Sequence, residues 1–129
     1  MNKVFLGGTW EETTWREELI PLLTIDYFNP IVEDWNESCQ VEEEQQKLHY
    51  CNIHLYVITK EMTGVFSIAE AIESAMTKGK ITIFQVIYEG FSKSQIKSLD
   101  AVCNMIKKHG GIAYMSWKMT RTAEYINKL

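Results

Sequence analysis

Apolar residues in this chain gather into short unbroken runs, separated by longer stretches in which they recur every three or four positions. That alternation predicts strands and helices in turn, because a strand covered on both faces reads as continuous apolar sequence while a surface helix keeps one apolar stripe. Lys3 to Gly7 (KVFLG) is the first strand, closed by a turn at Gly7-Gly8. Trp15, Leu19, Leu22 and Leu23 follow at helical spacing with Glu17 and Glu18 opposite, and Pro21 is expected to bend or shorten that helix. Ile25 to Asn29 (IDYFN) is a second strand, stopped by Pro30. Ile31 to Gln40 has no clean period and predicts the longest loop, and Val41 to Leu48 predicts a helix. Ile53 to Thr59 (IHLYVIT) has the β-branched content of a central strand. From Ser67 to Lys78, Ile68, Ile72, Ala75 and Met76 share one face of a helix capped by Gly79, with Glu70 off that stripe beside Glu73 and Thr77. Ile81 to Ile87 is a fourth strand, Ser94 to His109 a helix ended by Gly110-Gly111, Ile112 to Ser116 a fifth strand, and Arg121 to Lys128 a closing helix.

Strands alternating with helices imply a parallel sheet covered on both faces, since parallel neighbours need crossover connections. The commonest arrangement for five such units is the doubly wound, three-layer α/β fold with the flavodoxin-like order 2-1-3-4-5. In it ligands bind outside the carboxyl ends of the strands, at the switch between strands 1 and 3. With 129 residues the chain makes one domain, 1–129, and one site is sought.

Composition narrows the options. The chain is 46 % apolar, with four Trp, six Tyr and five Phe, as a packed globular protein requires. Its formal charge of -4 excludes the basic surface of a nucleic-acid binder, and Lys107 and Lys108 sit at a helix C-terminus, where the dipole favours cations. Glu42, Glu43 and Glu44 read as a solvated helix face. Three cysteines, Cys39, Cys51 and Cys103, without a CxxC pair indicate a reduced, intracellular protein. The first apolar run is too short for a signal peptide and no stretch reaches the length of a membrane span, so a cytoplasmic location without membrane contact is expected.

The predicted crevice collects the chemistry. The loop after strand 1 brings Gly7, Gly8, Thr9 and Trp10, and the loop after strand 3 brings Lys60 to Phe66 and the helix holding Ser67 and Glu70. Strand 2 delivers Phe28, Asn29, Pro30, Glu33, Asp34 and Trp35 to the same rim. Two accounts of Glu70 stand side by side. Ser67 and Glu70 match the S-x-x-E capping box, which needs no substrate, whereas the placement at the crevice suits a reacting carboxylate. Neither G-x-G-x-x-G nor a Walker A sequence occurs, so Gly7-Gly8 reads equally as a tight turn or as a close approach to ligand. His49, Cys51 and His54 cannot converge on a metal from one strand without a bend, and no metal is expected. Arg16 reads as solvated or ion-paired, or else as a phosphate ligand near the first loop. Trp117 and Tyr125 are expected to pack the last helix or an oligomer interface.

The ordered motifs KVFLGGTW, WREELIP, YFNPIVEDW, CNIHLYVIT and MTGVFSIAEA resemble those of the nucleoside 2-deoxyribosyltransferase-like proteins, in their small, less characterised branch. The likeness runs from Lys3 to about Phe84, with a weaker echo in GGIAY and the last helix. It implies transfer of 2-deoxyribose between bases, or hydrolysis of the N-glycosidic bond, with Glu70 as nucleophile, no cofactor, and a homodimer or larger homo-oligomer acting on a small nucleoside or nucleotide. Gly7, Gly8 and Thr9 would then approach sugar or phosphate, Trp10, Phe28 and Trp35 stack on a base, and Asn29 and Asp34 bind its edges or the sugar hydroxyls. Asn52, Gly64 and Ser67 belong to the same substrate-binding set. Three positions depart from the better characterised transferases: Asn52 stands where they carry an aspartate, Thr63-Gly64-Val65 where they carry an acid, with Glu61 an approximate substitute, and Phe5 where they carry a tyrosine. The resemblance therefore names no proton donor for the leaving base, since an amide cannot supply a proton as a carboxylic acid does. A non-catalytic nucleotide-binding module and an NAD-cleaving N-glycosidase remain the alternative functions.

Overall fold

The computed structural model describes residues 1–10 and 12–129. Its five strands, β1 (Lys3–Gly8), β2 (Asp26–Phe28), β3 (Ile53–Ile58), β4 (Ile81–Val86) and β5 (Ile112–Met115), form one parallel sheet in the order β2-β1-β3-β4-β5. The helices are α1 (Trp15–Leu19), α2 (Glu37–Gln45), α3 (Phe66–Ala75), α4 (Lys93–Lys108) and α5 (Met119–Asn127). This is the three-layer, flavodoxin-like fold expected from the alternating pattern.

The alternation of side chains along each strand divides the core in two. Val4, Leu6, Ile53, Leu55, Val57 and Ile83 pack with Trp15 and Leu19 of α1 and with Met119, Ala123 and Ile126 of α5. Phe5, Tyr56, Ile58 and Phe84 pack on the other side with Ala71 of α3 and Leu99, Cys103 and Ile106 of α4. All six residues of β3 are buried, so its apolar run is explained by cover on both faces. Pairing runs Val4 to Ile53 and Gly8 to Val57 between β1 and β3, which aligns their carboxyl ends. No helix among the described residues is long and apolar enough to cross a membrane.

Three local expectations are corrected. First, α2 begins at Glu37 inside the stretch read as loop, because Asn36 accepts hydrogen bonds from the Ser38 and Cys39 amides and so caps it. Gln46–Tyr50 then continue it as a π-helical turn, closed by Cys51 N–H to Gln46 O at 2.7 Å. Second, the Ser67–Glu70 capping box does not form. α3 starts one residue earlier, at Phe66, with Val65 at the cap, which places Glu70 beyond the first turn. A capping box does form at α4, between Ser92 and Gln95. Third, α3 ends at Ala75, so Met76 is exposed and Gly79 serves a later turn at φ +89°. As expected, Pro21 shortens α1, to five residues followed by a 3-10 turn, Ile20–Leu22, and this turns Leu22 outward.

Candidate active site

At the carboxyl end of β1 the chain has to squeeze past β3, and this decides the glycines. A Cβ on Gly8, whose φ is +113°, would lie 2.1 Å from the carbonyl oxygen of Val57, and one on Gly7 would lie 2.7 Å from the Tyr56 ring. The close approach they permit is to β3 itself, and it opens a hollow above them. Thr9 locks the loop, its N–H donating to Val57 O at 2.8 Å and its hydroxyl accepting from Thr59 N–H at 2.9 Å. From α1, Trp15 Nε1–H donates to Thr9 O, and Arg16 donates to Leu6 O, Gly8 O and Thr9 O. Arg16 is thus not solvated, and among the described residues it has no ion pair: it is buried, lies 4.2 Å over the Trp15 ring, and spends its donors on the strand-end carbonyls. Burial lowers it to about 9 against the charge of Glu43, which leaves it protonated at neutral pH.

Above this floor lies a cavity of about 240 Å³ lined by Phe5, Gly7, Gly8, Trp10, Arg16, Pro30, Trp35, Glu43, Ser67 and Glu70. A second hollow of about 170 Å³, lined by Thr9, Met62, Thr63, Gly64 and Phe66, shares Gly8, Trp10 and Ser67 with it. Together they reach the lower end of the ~300–1,000 Å³ usual for small-molecule sites. Glu70, its side chain 16 % exposed, is held by Lys47, whose Nζ donates to Oε2 at 2.6 Å and also pairs with Glu44 at 2.9 Å. Desolvation alone would lower the Lys47 ammonium, but the bonds to Glu70 and Glu44 outweigh it and raise the group. In the same lining, Glu43 accepts from Trp35 Nε1–H at 3.4 Å. Burial pushes its carboxyl up, aided by Glu70 and Glu44 and opposed by the Trp35 bond and Lys47.

Of the residues expected here, Gly7, Gly8, Trp10, Trp35, Ser67 and Glu70 meet in the main cavity, and Thr9 and Gly64 line the adjoining hollow. Phe28 stands behind the wall, stacked on Phe5 at 5.8 Å. Asn29 turns its Oδ1 to the Ile31 amide, and Asp34 is exposed beside Trp35, its carbonyl accepting from Cys39 Sγ. Asn52 is not brought here at all. It precedes β3 at the opposite end of the sheet, accepting from Lys3 N–H and donating to Asn2 Oδ1. Glu61 lines a separate hollow of about 290 Å³ with Thr14, Thr59 and Trp117, which shares no residue with the first. His54 donates through Nε2 to the Lys47 and Cys51 carbonyls and receives Ser74 at Nδ1, so it is a core residue.

Glu43 and Lys47 were not legible as site residues. The acidic run read as solvated, yet only Glu42 and Glu44 face out, and the spacing of Glu43 to Lys47, four residues, was the available signal that both share a face.

A family model described as nucleoside 2-deoxyribosyltransferase like matches residues 1–88, a span that ends just past β4 and contains every residue lining the two joined hollows. No curated protein and no solved structure matches the chain.

Proposed function

The chain belongs to the nucleoside 2-deoxyribosyltransferase-like family, and from that premise we propose that it breaks the N-glycosidic bond of a deoxynucleoside or deoxynucleotide, passing the 2-deoxyribose to another base or to water. The observation that carries this reading is Glu70 itself, a carboxylate on the wall of a cavity at the carboxyl ends of β1 and β3, with one oxygen fixed by Lys47.

The chemistry follows from that placement. The free Oε1 of Glu70 attacks the anomeric carbon as the bond to the base breaks with its electron pair, giving a glycosyl ester. A second base or water then attacks the same carbon from the vacated side, and the ester oxygen leaves with its pair, so the configuration is retained. Lys47 keeps the carboxylate oriented through its bond to Oε2, while Trp10 and Trp35 offer aromatic faces for the leaving base. The N-terminus of α3, where Val65 gives no side-chain cap, opens beside Gly64 and Ser67 and would favour a phosphate on the sugar.

The reading includes a homodimer. Phe66, which lines the smaller hollow, and its neighbour Val65 stand 71 % and 70 % exposed, and a second copy over them would close the cavity.

The test is incubation with deoxynucleosides, their 5′-monophosphates and NAD, with and without a free acceptor base, following base release. Turnover by the wild type is expected, with loss of at least about 1,000-fold in Glu70→Gln. Full activity of Glu70→Gln would remove the nucleophile from this account, and release of nicotinamide alone would move the substrate to NAD.

A further inference from the structure

Cleavage at the anomeric carbon needs a proton for the departing base, and the groups around the cavity can be sorted by whether they could give one. Lys47 holds its proton between two carboxylates. Arg16 is committed to three carbonyls. Tyr56 lies beneath Gly7 in the core, where burial and the nearby Glu70 raise its hydroxyl far above its ordinary value. Asn52 is at the other end of the sheet and Glu61 is in another hollow. Glu43 remains. It stands on α2, lines the same cavity as Glu70, and its one hydrogen bond among the described residues is from Trp35 to Oε2, which leaves Oε1 for a ligand.

We propose that Glu43 is the proton donor to the leaving base, acting in the same cavity as Glu70. The inference rests on the glycosidic reading and adds to it the group that family resemblance does not name. As the bond between C1′ and nitrogen breaks, its electron pair goes to the base, the base takes the proton from Glu43, and Glu70 forms the ester to C1′. In the second half the Glu43 carboxylate takes a proton from water or from the acceptor base, whose oxygen or nitrogen bonds to C1′ while the ester oxygen returns to Glu70 with its pair. Every proton and electron pair is then accounted for, and the enzyme is restored.

The surroundings of Glu43 suit this alternation. Its neighbours are Glu44 and Lys47 on its own helix and the turn after it, Glu70 on α3, Trp35 in the preceding loop and Arg16 on α1. Burial, Glu70 and Glu44 hold its proton on, while Lys47 and the Trp35 bond moderate the effect.

The experiment compares leaving groups. In 7-methyl-2′-deoxyguanosine the base is already cationic and departs without a proton, whereas in 2′-deoxyguanosine it must gain one. Both are offered as nucleosides and as 5′-monophosphates, with spontaneous release subtracted. Glu43→Gln is expected to lose at least about 100-fold in kcat/KM on the unmethylated compounds and under about 5-fold on the methylated ones. Equal loss on both, or no loss on either, overturns the assignment. If Glu43→Gln proves unfolded by its thermal transition, Trp35→Phe takes its place: loss of that hydrogen bond should move the alkaline limb of the pH profile upward, and an unmoved limb counts against Glu43. Glu70→Gln separates the two ideas, since it should fail on both classes of substrate. A wild type that releases base from none of them overturns the glycosidic reading and this inference with it.

Discussion

Gly8 shows how one residue joins fold to function. It is the last residue of β1, sits at φ +113°, and passes so close to β3 that a methyl group would fall 2.1 Å from the Val57 oxygen. The same residue floors both joined hollows. Gly8→Ala is therefore expected to cost about 2–4 kcal/mol in urea unfolding, from strained φ plus displacement of the β3 backbone, and to abolish turnover in whatever fraction still folds. A variant of unchanged stability would show that the loop relaxes freely. Glu70 makes the complementary point. Its S-x-x-E spacing is a sound local signal for a cap, and what defeats it is that the cap of α3 falls at Val65, two residues before Ser67. A side chain freed from capping is available to Lys47, which lies 23 positions earlier and is invisible to any local rule.

At the scale of elements, the strands were the most legible part of the sequence. β3, β4 and β5 fall within a residue or two of their predicted runs, because cover on both faces keeps them mainly apolar, with His54, Thr82 and Gln85 the buried polar exceptions. α2 was half missed for the opposite reason: none of its residues is buried, so it carries no stripe, and its true start is marked by Asn36. Glu43 and Lys47 fell inside the predicted helix but were lost from view because the acidic run read as solvated, whereas the sheet order did bring Gly7, Gly8, Trp10, Trp35, Ser67 and Glu70 to one cavity. His54 links three elements, from β3 to Ser74 of α3 and on to Thr82 of β4 at 2.6 Å. Burial, with the charge of Lys80, lowers its pKa to about 4. The carbonyls at Nε2 fix that nitrogen as the donor, so the neutral ring is the one that fits. A depressed folded pKa gives stability that is fully present above the unfolded value, about 6.5, and lost as the pH falls toward 4. On the order of 3 kcal/mol should disappear across that window. Urea unfolding between pH 7.5 and 4 is the measurement, and His54→Gln should flatten the corresponding part of the slope; parallel slopes would rule out this origin.

For the whole molecule, the family match ends at residue 88, while α4, β5 and α5 complete the sheet and its cover. Gln85, fully buried in β4, ties this last third to the rest by donating to Ser116 O at 2.8 Å and accepting from Thr122. The proposed dimer belongs to this scale. Sedimentation equilibrium is expected to give twice the mass of the 15.0 kDa chain, and Phe66→Glu is expected to return it to the monomer. A monomeric wild type would leave the cavity to be closed by substrate alone. The order β2-β1-β3 has one more consequence, which concerns how the protein is made. β1 pairs first in sequence with β2 but shares its other edge with β3, and Val4 meets Ile53 only after the intervening chain has closed on itself. The floor of the cavity comes from one side of that closure and the Glu70 wall from the other. No early, locally built intermediate can hold a substrate, so binding competence arrives only with the long-range pairing that sets the folding rate.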